Sequence, residues 1–225
     1  MATIATSPQP VVAGWTDLLQ RGWTASQVVE KVNELRRATI EDLPPQGLVD
    51  PDCFPEILTT HPEMWRVIID ARDHVLGHWC YLSLSAVSYE LASAGRLCAR
   101  SIRPEMVRSV SELGWHDIYF LTACLAPELR LTTTSLLFGR SFFNSLHGLA
   151  EQGVYIRCLC ANFATPEGIA MARGLGLEYR GEHSVRGGVY SGDFVQILQQ
   201  KAIRDDNQGQ LARSFLDHYP AVDAT

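Results

Sequence analysis

The stretch HDIYFLTACLAPELRLTTTS, residues 116–135, decides the fold of this chain because it joins a buried strand to the start of a helix. Its first ten residues are mostly β-branched, aromatic or aliphatic, and Pro127 stops the run, which is typical of a strand. Hydroxyl side chains from Thr132 to Ser135 then stand where a helix N-cap belongs, and apolar residues recur at helical spacing after them. The unpaired amides at the start of such a helix, with Arg130 beside them, predict a site for anions.

A second strand and a second helix follow. Residues 154–161, VYIRCLCA, form another short apolar run. Thr165 then offers an N-cap, Pro166 suits the first helical position, and Gly174 and Gly176 mark the end of the helix. Upstream, residues 64–70 and 75–82 are two strand-like runs around a short polar turn, which predicts an antiparallel hairpin.

The rest of the chain carries more local signals. We expect a flexible arm over residues 1–14, a short helix near 15–20, and a helix toward Arg37 that begins at the capping box of Thr24 and Gln27. The proline- and acid-rich residues 39–62 predict a long loop with a short helix near 54–58. The remaining predictions are helices at 85–94 and 105–113, a last hairpin of 177–182 with 189–198, and a tail over 199–225 with a short helix near 211–218.

Bulk composition narrows the class of protein. The chain has 225 residues, of which 46% are hydrophobic and 20% charged, as is ordinary for one globular domain. A net charge of −6 argues against a broad nucleic-acid-binding face. No apolar run reaches the roughly 18 residues of a membrane span, and the N-terminus lacks a secretory pattern. We therefore expect a cytoplasmic protein that binds neither nucleic acid nor membrane.

The cysteines and histidines give no sign of a metal site. The six cysteines lie mostly in apolar runs, without a Cys-x-x-Cys pair or histidines at zinc-ligand spacing. They predict buried thiols in a reducing compartment. His116 opens a strand and His183 lies in a turn, which predicts exposed rings, whereas His78 is expected to be a packed or surface residue of its strand.

The order of these elements resembles the GNAT superfamily of acyl-CoA-dependent N-acyltransferases over residues 64–198. Four features carry the resemblance: the Trp-rich hairpin, LAPELR at 125–130 before a helix, Asn162 after the following strand, and AMARGLGL at 170–177, where a helix runs into Gly-Leu. The resemblance implies an α/β (α+β) fold with a mixed, mostly antiparallel central sheet that is splayed into a V and flanked by helices. We expect a single domain over 15–198, with N-terminal helices and the long loop in 15–63 and the core in 64–198.

The resemblance also implies that acetyl-CoA, or another acyl-CoA, binds as co-substrate. In the family a glycine-containing loop brings backbone amides to the coenzyme A diphosphate, and here Thr133 and Ser135 stand at the glycine positions counted from Arg130. Their hydroxyls can donate to phosphate, although their Cβ atoms narrow the approach; alternatively, residues 132–135 only cap a helix. The implied cofactor-binding residues are Ala123, Cys124, Leu125, Arg130, Leu131, Thr132, Thr133, Thr134, Ser135 and Asn162.

The family's usual catalytic acid is missing. Many members place a tyrosine four residues before the glycine that follows the last helix, and here that position is Ala172. Asp117 and Tyr119 share one face of the first strand by alternation, so Asp117 is a candidate general base and Tyr119 a residue that lines the cleft. Tyr190 is a candidate substitute acid. Alternatively, Asp117 is a solvated acid at the strand start and Tyr119 is a core residue.

The leading hypothesis is therefore a GNAT-type N-acyltransferase, most simply an acetyltransferase, that moves an acyl group from coenzyme A to a primary amine on a small molecule or a protein. The thioester carbonyl would meet backbone amides near residues 123–125, and the acceptor would enter over the acidic loop and the last hairpin. The alternative is a non-catalytic GNAT-like module for ligand sensing or protein association. Phe138, Phe142 and Phe143 would line a pocket for a longer acyl group unless they are core residues. Exposed strands in such a fold also allow a homodimer.

Overall fold

The computed structural model describes residues 10–130, 132–200 and 216–217, and in this part the chain forms one open sheet of seven strands flanked by helices. The strands are β1 (Val11–Ala13), β2 (Trp65–Ile69), β3 (Val75–Ser83), β4 (Gly114–Leu125), β5 (Val154–Phe163), β6 (Glu178–Glu182) and β7 (Gly188–Asp193). Their order across the sheet is β1-β2-β3-β4-β5-β7-β6. Neighbouring strands are antiparallel except β4 and β5, which are parallel. The predicted fold class is confirmed.

Helices cover both faces of this sheet. They are α1 (Trp15–Gln20), α2 (Ala25–Thr39), α3 (Phe54–Thr60), α4 (Ala86–Ser93), α5 (Thr133–Glu151), α6 (Pro166–Gly174) and α7 (Phe194–Leu198). Helix α2 packs against β3 and β4, α4 packs against β4 and β5, and α5 makes the crossover between the parallel strands β4 and β5. A parallel pair needs such a crossover, because the chain must return to the end of the sheet at which the first strand began.

Local capping signals set the starts of α2 and α6 where the sequence predicts them. The Thr24 side chain accepts from Gln27 N (3.2 Å), and the Gln27 side chain accepts from Thr24 N (2.8 Å). Thr165 accepts from Gly168 N (3.1 Å) at the start of α6. Each pair satisfies amides that the first turn of a helix leaves unbonded.

An aromatic cluster fills the space between the sheet and α5. The Phe142 ring lies 5.7 Å from Trp79, 5.9 Å from Tyr81 and 4.8 Å from Phe120, in edge-on arrangements. Trp79 Nε1 donates to Ser141 Oγ on α5 (2.7 Å), so the buried indole keeps a partner for its polar atom. Phe142 is therefore a core residue, and it fixes the position of α5 on β3 and β4.

The structure corrects three predictions about secondary structure. Residues 11–13, within the predicted flexible arm, form the edge strand β1 on β2. The helix predicted at 105–113 is absent; Arg108 N donates to Ser83 O (2.8 Å) and Val107 bridges Leu84, so this segment pairs with the end of β3 instead. The second strand of the last hairpin ends at Asp193, whose side chain accepts from Gln196 N (3.0 Å) and so starts α7.

The predicted tail is only partly described. Of the short helix predicted near 211–218, residues 216 and 217 are described and helical, and the others lie outside the described residues. Residues 1–9 of the predicted arm also lie outside them. In the part of the chain that is described, no helix combines the length and apolarity needed to cross a membrane.

Candidate functional site

The two parallel strands at the centre of the sheet stop pairing partway along their length, and the gap beyond that point is called the cleft. The pairing of β4 with β5 runs from Gly114 opposite Val154 to Phe120 opposite Ala161 and stops there. Beyond this point, among the described residues, β4 continues to Leu125 beside β3 alone, while the end of β5 pairs only with β7. In this part of the chain, one edge of β4 over residues 121–125 therefore has no neighbouring strand.

Two backbone amides on that free edge point into the cleft. Ala126 N donates to Leu76 O (2.8 Å), toward β3. Because N–H groups alternate between the two edges of a strand, those of Ala123 and Leu125 point the other way, where β5 has separated. A register shift near Leu121, opposite Cys80 and Tyr81, marks a bulge just before this segment. The cleft thus has preformed hydrogen-bond donors that find no backbone partner among residues 10–130 and 132–200.

The start of α5 lies at the same end of β4 as the cleft, because only the seven residues 126–132 separate the two elements, and Pro127–Leu129 among them form a 3₁₀ turn. Thr132 is the N-cap, but its hydroxyl donates to Leu129 O (2.7 Å), and the Ser135 hydroxyl donates to Thr132 O (2.7 Å). Neither hydroxyl caps a helix amide. Among the described residues, the N–H groups of Thr133 and Thr134 have no acceptor. The first turn of α5 is therefore open to an anion.

The other predicted cofactor residues surround these amides. Arg130 is exposed beside the first turn of α5, the Ala123 side chain is exposed, and the Cys124 side chain is buried against Leu35 of α2. Leu131 lies outside the described residues. The structure thus brings residues 123–125 and 132–135 to one end of the cleft.

Asp117, the predicted base, forms an ion pair with Arg157 of the neighbouring strand. Both of its carboxylate oxygens bind Arg157, at 2.9 Å to Nε and by a second, shorter contact to Nη2. Asp117 also lies opposite Cys158, where β4 and β5 are still paired and the cleft has not opened. The ion pair raises the pKa of Arg157 and engages one acceptor site on each carboxylate oxygen. The role of Asp117 as the base stays a prediction, for a carboxylate that is paired with Arg157.

The two candidate tyrosines lie near the point where the strands separate, on opposite faces of the sheet. Tyr119 is only 3% exposed, opposite Cys160, and burial raises the pKa of its phenol. Tyr190 of β7 lies opposite Ala161 of β5, and the Tyr190 ring packs edge-on against the Phe163 ring, with 5.7 Å between the ring centres. Ala172, at the position of the missing family tyrosine, is fully buried in α6. Both predicted tyrosines thus lie close to the point where β4 and β5 stop pairing.

Asn162 links the separated end of β5 to the loops beside the cleft. Its Nδ2 donates to Arg186 O (2.9 Å) in the β6–β7 turn, which fixes the orientation of the amide. The Arg186 guanidinium in turn donates to the Glu41 carbonyl at the start of the long loop. The Asn162 Oδ1 atom is buried, and no described residue gives it a hydrogen bond. An acceptor oxygen at the cleft is therefore available to a ligand N–H group.

Two polar side chains are buried on the α2 face; the packed His78 is one of the two outcomes expected from the sequence, whereas the burial of Arg36 is not expected from it. Arg36 of α2 is 5% exposed and His78 of β3 is 1% exposed. Burial, and then the positive charge of Arg36, lowers the pKa of His78 to about 3, so its ring is neutral. The signal for Arg36 is its position three or four residues after Val32 and Asn33, which places it on the buried face of the helix.

His116 and His183 are buried, contrary to the prediction of exposed rings. His116 Nδ1 lies 2.7 Å from Ser83 Oγ, and His183 Nε2 lies 3.1 Å from Leu97 O. Burial lowers the pKa of both rings. Within the described residues, no group of three or more His, Cys, Asp or Glu side chains is placed to hold a metal ion. Both rings are thus buried and hydrogen-bonded within the fold.

Comparison with known proteins finds similar structures but no similar sequences. No family model and no curated protein matches the sequence. GphF, a GNAT-like decarboxylase solved in complex with isobutyryl-CoA, is similar at a TM-score of 0.50 and 11% identity, over 81% of this chain and 98% of that chain. FeeM, an N-acyl amino acid synthase from uncultured soil microbes, is similar at a TM-score of 0.51 and 13% identity, over 89% of this chain and 98% of that chain. The chain has the fold of the GNAT superfamily.

Proposed function

We propose that this protein is an acyl-CoA-dependent N-acyltransferase, with acetyl-CoA as the expected donor and a primary amine as the acceptor. The observation that carries the proposal is the free edge of β4, where the N–H groups of Ala123 and Leu125 point into a cleft that β5 has left open. Such donors, fixed before the substrate arrives, stabilise the negative charge that develops on a carbonyl oxygen.

The residues at this end of the cleft fit coenzyme A, with one difference from the usual loop. The open first turn of α5 and the exposed Arg130 offer N–H groups and positive charge to a diphosphate. The side chains of Thr133 and Ser135 stand where the family has glycine, so the diphosphate would lie farther out and meet hydroxyls as well as amides. The Asn162 oxygen would accept an N–H group of the pantetheine arm. That GphF binds isobutyryl-CoA on this fold supports the choice of ligand class.

The chain's own groups would divide the chemistry as follows. The amides of Ala123 and Leu125 would polarise the thioester carbonyl, and a neutral amine would attack it. Since Asp117 is bound to Arg157, the amine would lose its proton to solvent, and the rate would follow the fraction of neutral amine. Tyr190, or the more deeply buried Tyr119, would give a proton to the departing thiolate.

The test is a thermal-shift titration followed by a turnover assay. Coenzyme A and acetyl-CoA should both raise the melting temperature, because a ligand that binds only the folded state stabilises by about 2.7 kcal/mol at 100 times its dissociation constant. Thiol release from acetyl-CoA with a panel of primary amines should then reveal turnover. The double variant Arg130→Ala/Thr133→Pro should lose most of the shift, and Arg173→Ala, an exposed arginine at the end of α6, should keep it.

A second function fits two departures from the family pattern. Thr133 and Ser135 replace glycines, and Ala172 replaces the tyrosine acid. A GNAT-like module that binds coenzyme A without turnover, for sensing or for protein association, would tolerate both changes. Stabilisation by acetyl-CoA with no thiol release for any amine would favour this function. Absence of any stabilisation would contradict both.

A further inference from the structure

Two neighbouring side chains hold most of the unpaired buried polar atoms in the described part of the chain. The buried side-chain nitrogens and oxygens without a hydrogen-bond partner there are six, and four of them are Arg36 Nε and Nη1 and His78 Nδ1 and Nε2. Only Nη2 of Arg36 is bonded, to Gly47 O at 2.6 Å. Buried polar groups are rarely left unpaired, so this cluster indicates a missing partner.

The missing partner is an anion, because charge as well as hydrogen bonding is unbalanced. An uncompensated buried guanidinium costs several kcal/mol, and a water molecule would satisfy N–H groups without offsetting the charge. Among the described residues, no carboxylate forms an ion pair with Arg36. Asp50 is the buried acid of the nearby loop, but it lies 3.3 Å from Arg103 and also accepts from Asp52 N. The neutral ring of His78, which lies within the electrostatic range of Arg36, adds one N–H donor.

The pair lies close to the cleft, on the face covered by α2. His78 is opposite Cys124 in the pairing of β3 with β4, and Cys124 belongs to the free edge of β4. Residues opposite each other in antiparallel strands share a face, and Cys124 packs on Leu35 of α2. His78 therefore lies on the strand next to β4, about 5 Å from it, and β4 separates His78 from the cleft. The loop that begins at Glu41 and supplies Gly47 covers this side.

We propose that Arg36 and His78 form a carboxylate-binding subsite beside the cleft, so that the acyl acceptor is an amine that also carries a carboxylate. This inference rests on the proposed function and narrows its substrate class. A carboxylate carries the single negative charge that Arg36 lacks, and its two oxygens can accept from Arg36 and His78 together. Binding would require the loop at residues 41–50 to open, since the four unpaired atoms are sealed from solvent.

Matched acceptors test the inference by turnover. With acetyl-CoA in excess, thiol release is measured for pairs that differ only in the carboxylate: 4-aminobutanoate against butylamine, and phenylalanine against 2-phenylethylamine. In the unmodified protein the carboxylated member of at least one pair should have a kcat/KM about tenfold higher or more. Arg36→Met should bring that ratio to about one, whereas Arg37→Met, which removes the adjacent exposed charge of α2, should leave it unchanged.

A binding measurement separates this inference from the proposed function. Thermal shift without any coenzyme A is measured for the same carboxylated amines, for the plain amines, and for chloride and phosphate. Stabilisation by the carboxylated amines alone, and its loss in Arg36→Met, would support the subsite. Each shift is measured relative to the melting temperature of the same variant without ligand. A lower stability of Arg36→Met therefore does not affect the comparison. Equal stabilisation by chloride or phosphate would overturn it in favour of a structural inorganic anion. Equal kcat/KM for both members of every pair would overturn it while leaving the acyltransferase intact.

Discussion

Thr133→Pro should separate the stability of α5 from its ability to bind a diphosphate. Thr133 is the first residue of α5, where the N–H group has no acceptor among the described residues and the preceding Thr132 is extended, at φ −101° and ψ 170°. Proline suits this position, because its ring fixes a helical φ and requires an extended residue before it. The chain already uses the same arrangement at Thr165–Pro166, where Thr165 has φ −118° and ψ 153°.

The size of the effect follows from the one amide that is lost. Proline at a compatible position stabilises a protein by about 0.4–1 kcal/mol. A hydrogen bond to a charged group contributes about 1.5–3 kcal/mol, which corresponds to a roughly 10- to 100-fold weaker affinity for coenzyme A. We therefore expect Thr133→Pro to be as stable as the unmodified protein or slightly more stable, yet to bind coenzyme A much less tightly.

Urea denaturation and calorimetric titration with coenzyme A measure the two quantities. Thr133→Ala is the matched control, because it removes the hydroxyl but keeps the amide, and its affinity should stay within about threefold. If Thr133→Pro folds normally and binds coenzyme A within about threefold of the unmodified protein, the diphosphate does not lie at the start of α5. The proposed pose, and the functional argument built on it, would then be wrong.

Three further predictions concern catalysis, capping and pH. Asp117→Asn should change kcat by less than about threefold, since Arg157 already occupies the carboxylate; a loss of about 100-fold would restore Asp117 as the base. Asp193→Ala should lower the free energy of unfolding by about 1 kcal/mol in urea titrations through loss of the α7 cap, whereas Asp193→Asn should retain it. Stability should fall as pH drops from 6.5 toward about 3, by at most about 1.4 kcal/mol per pH unit from His78, because the unfolded ring takes up a proton that the folded ring refuses. Urea titrations of His78→Gln at pH 7, 6 and 5 should therefore show a shallower slope, and an unchanged slope would contradict the neutral buried ring.

Elements with local signals were predictable from the sequence. Thr24 with Gln27, and Thr165 with Pro166, each place a helix start within one turn, because the cap and the amide that it satisfies are three residues apart. The strands β4 and β5 were predictable as apolar runs. The separation of β4 from β5 and the bulge near Leu121 depend on the partners of each strand. Neither feature produces a pattern of apolar residues that the sequence would show.

Elements decided by distant contacts were not predictable. The segment at 105–113 has helical spacing, but its backbone pairs with the end of β3 instead. Asp117 lies on a suitable strand, yet the charge that occupies it comes from Arg157, one strand away. From the sequence, Arg36 resembles the other cations of an amphipathic helix. Its burial, and its lack of an ion pair with any described carboxylate, depend on the three-dimensional structure.

The outermost strand, β6, limits how copies of this protein can meet. Its exposed side chains include Glu178, Arg180 and Glu182, and its register with β7 shifts between Tyr179 and Gly181. Charges and irregular spacing on a border strand discourage another strand from adding to it. Growth of the sheet from molecule to molecule is therefore disfavoured on this side. The opposite border of the sheet, β1, and the helical faces carry no such charged strand edge.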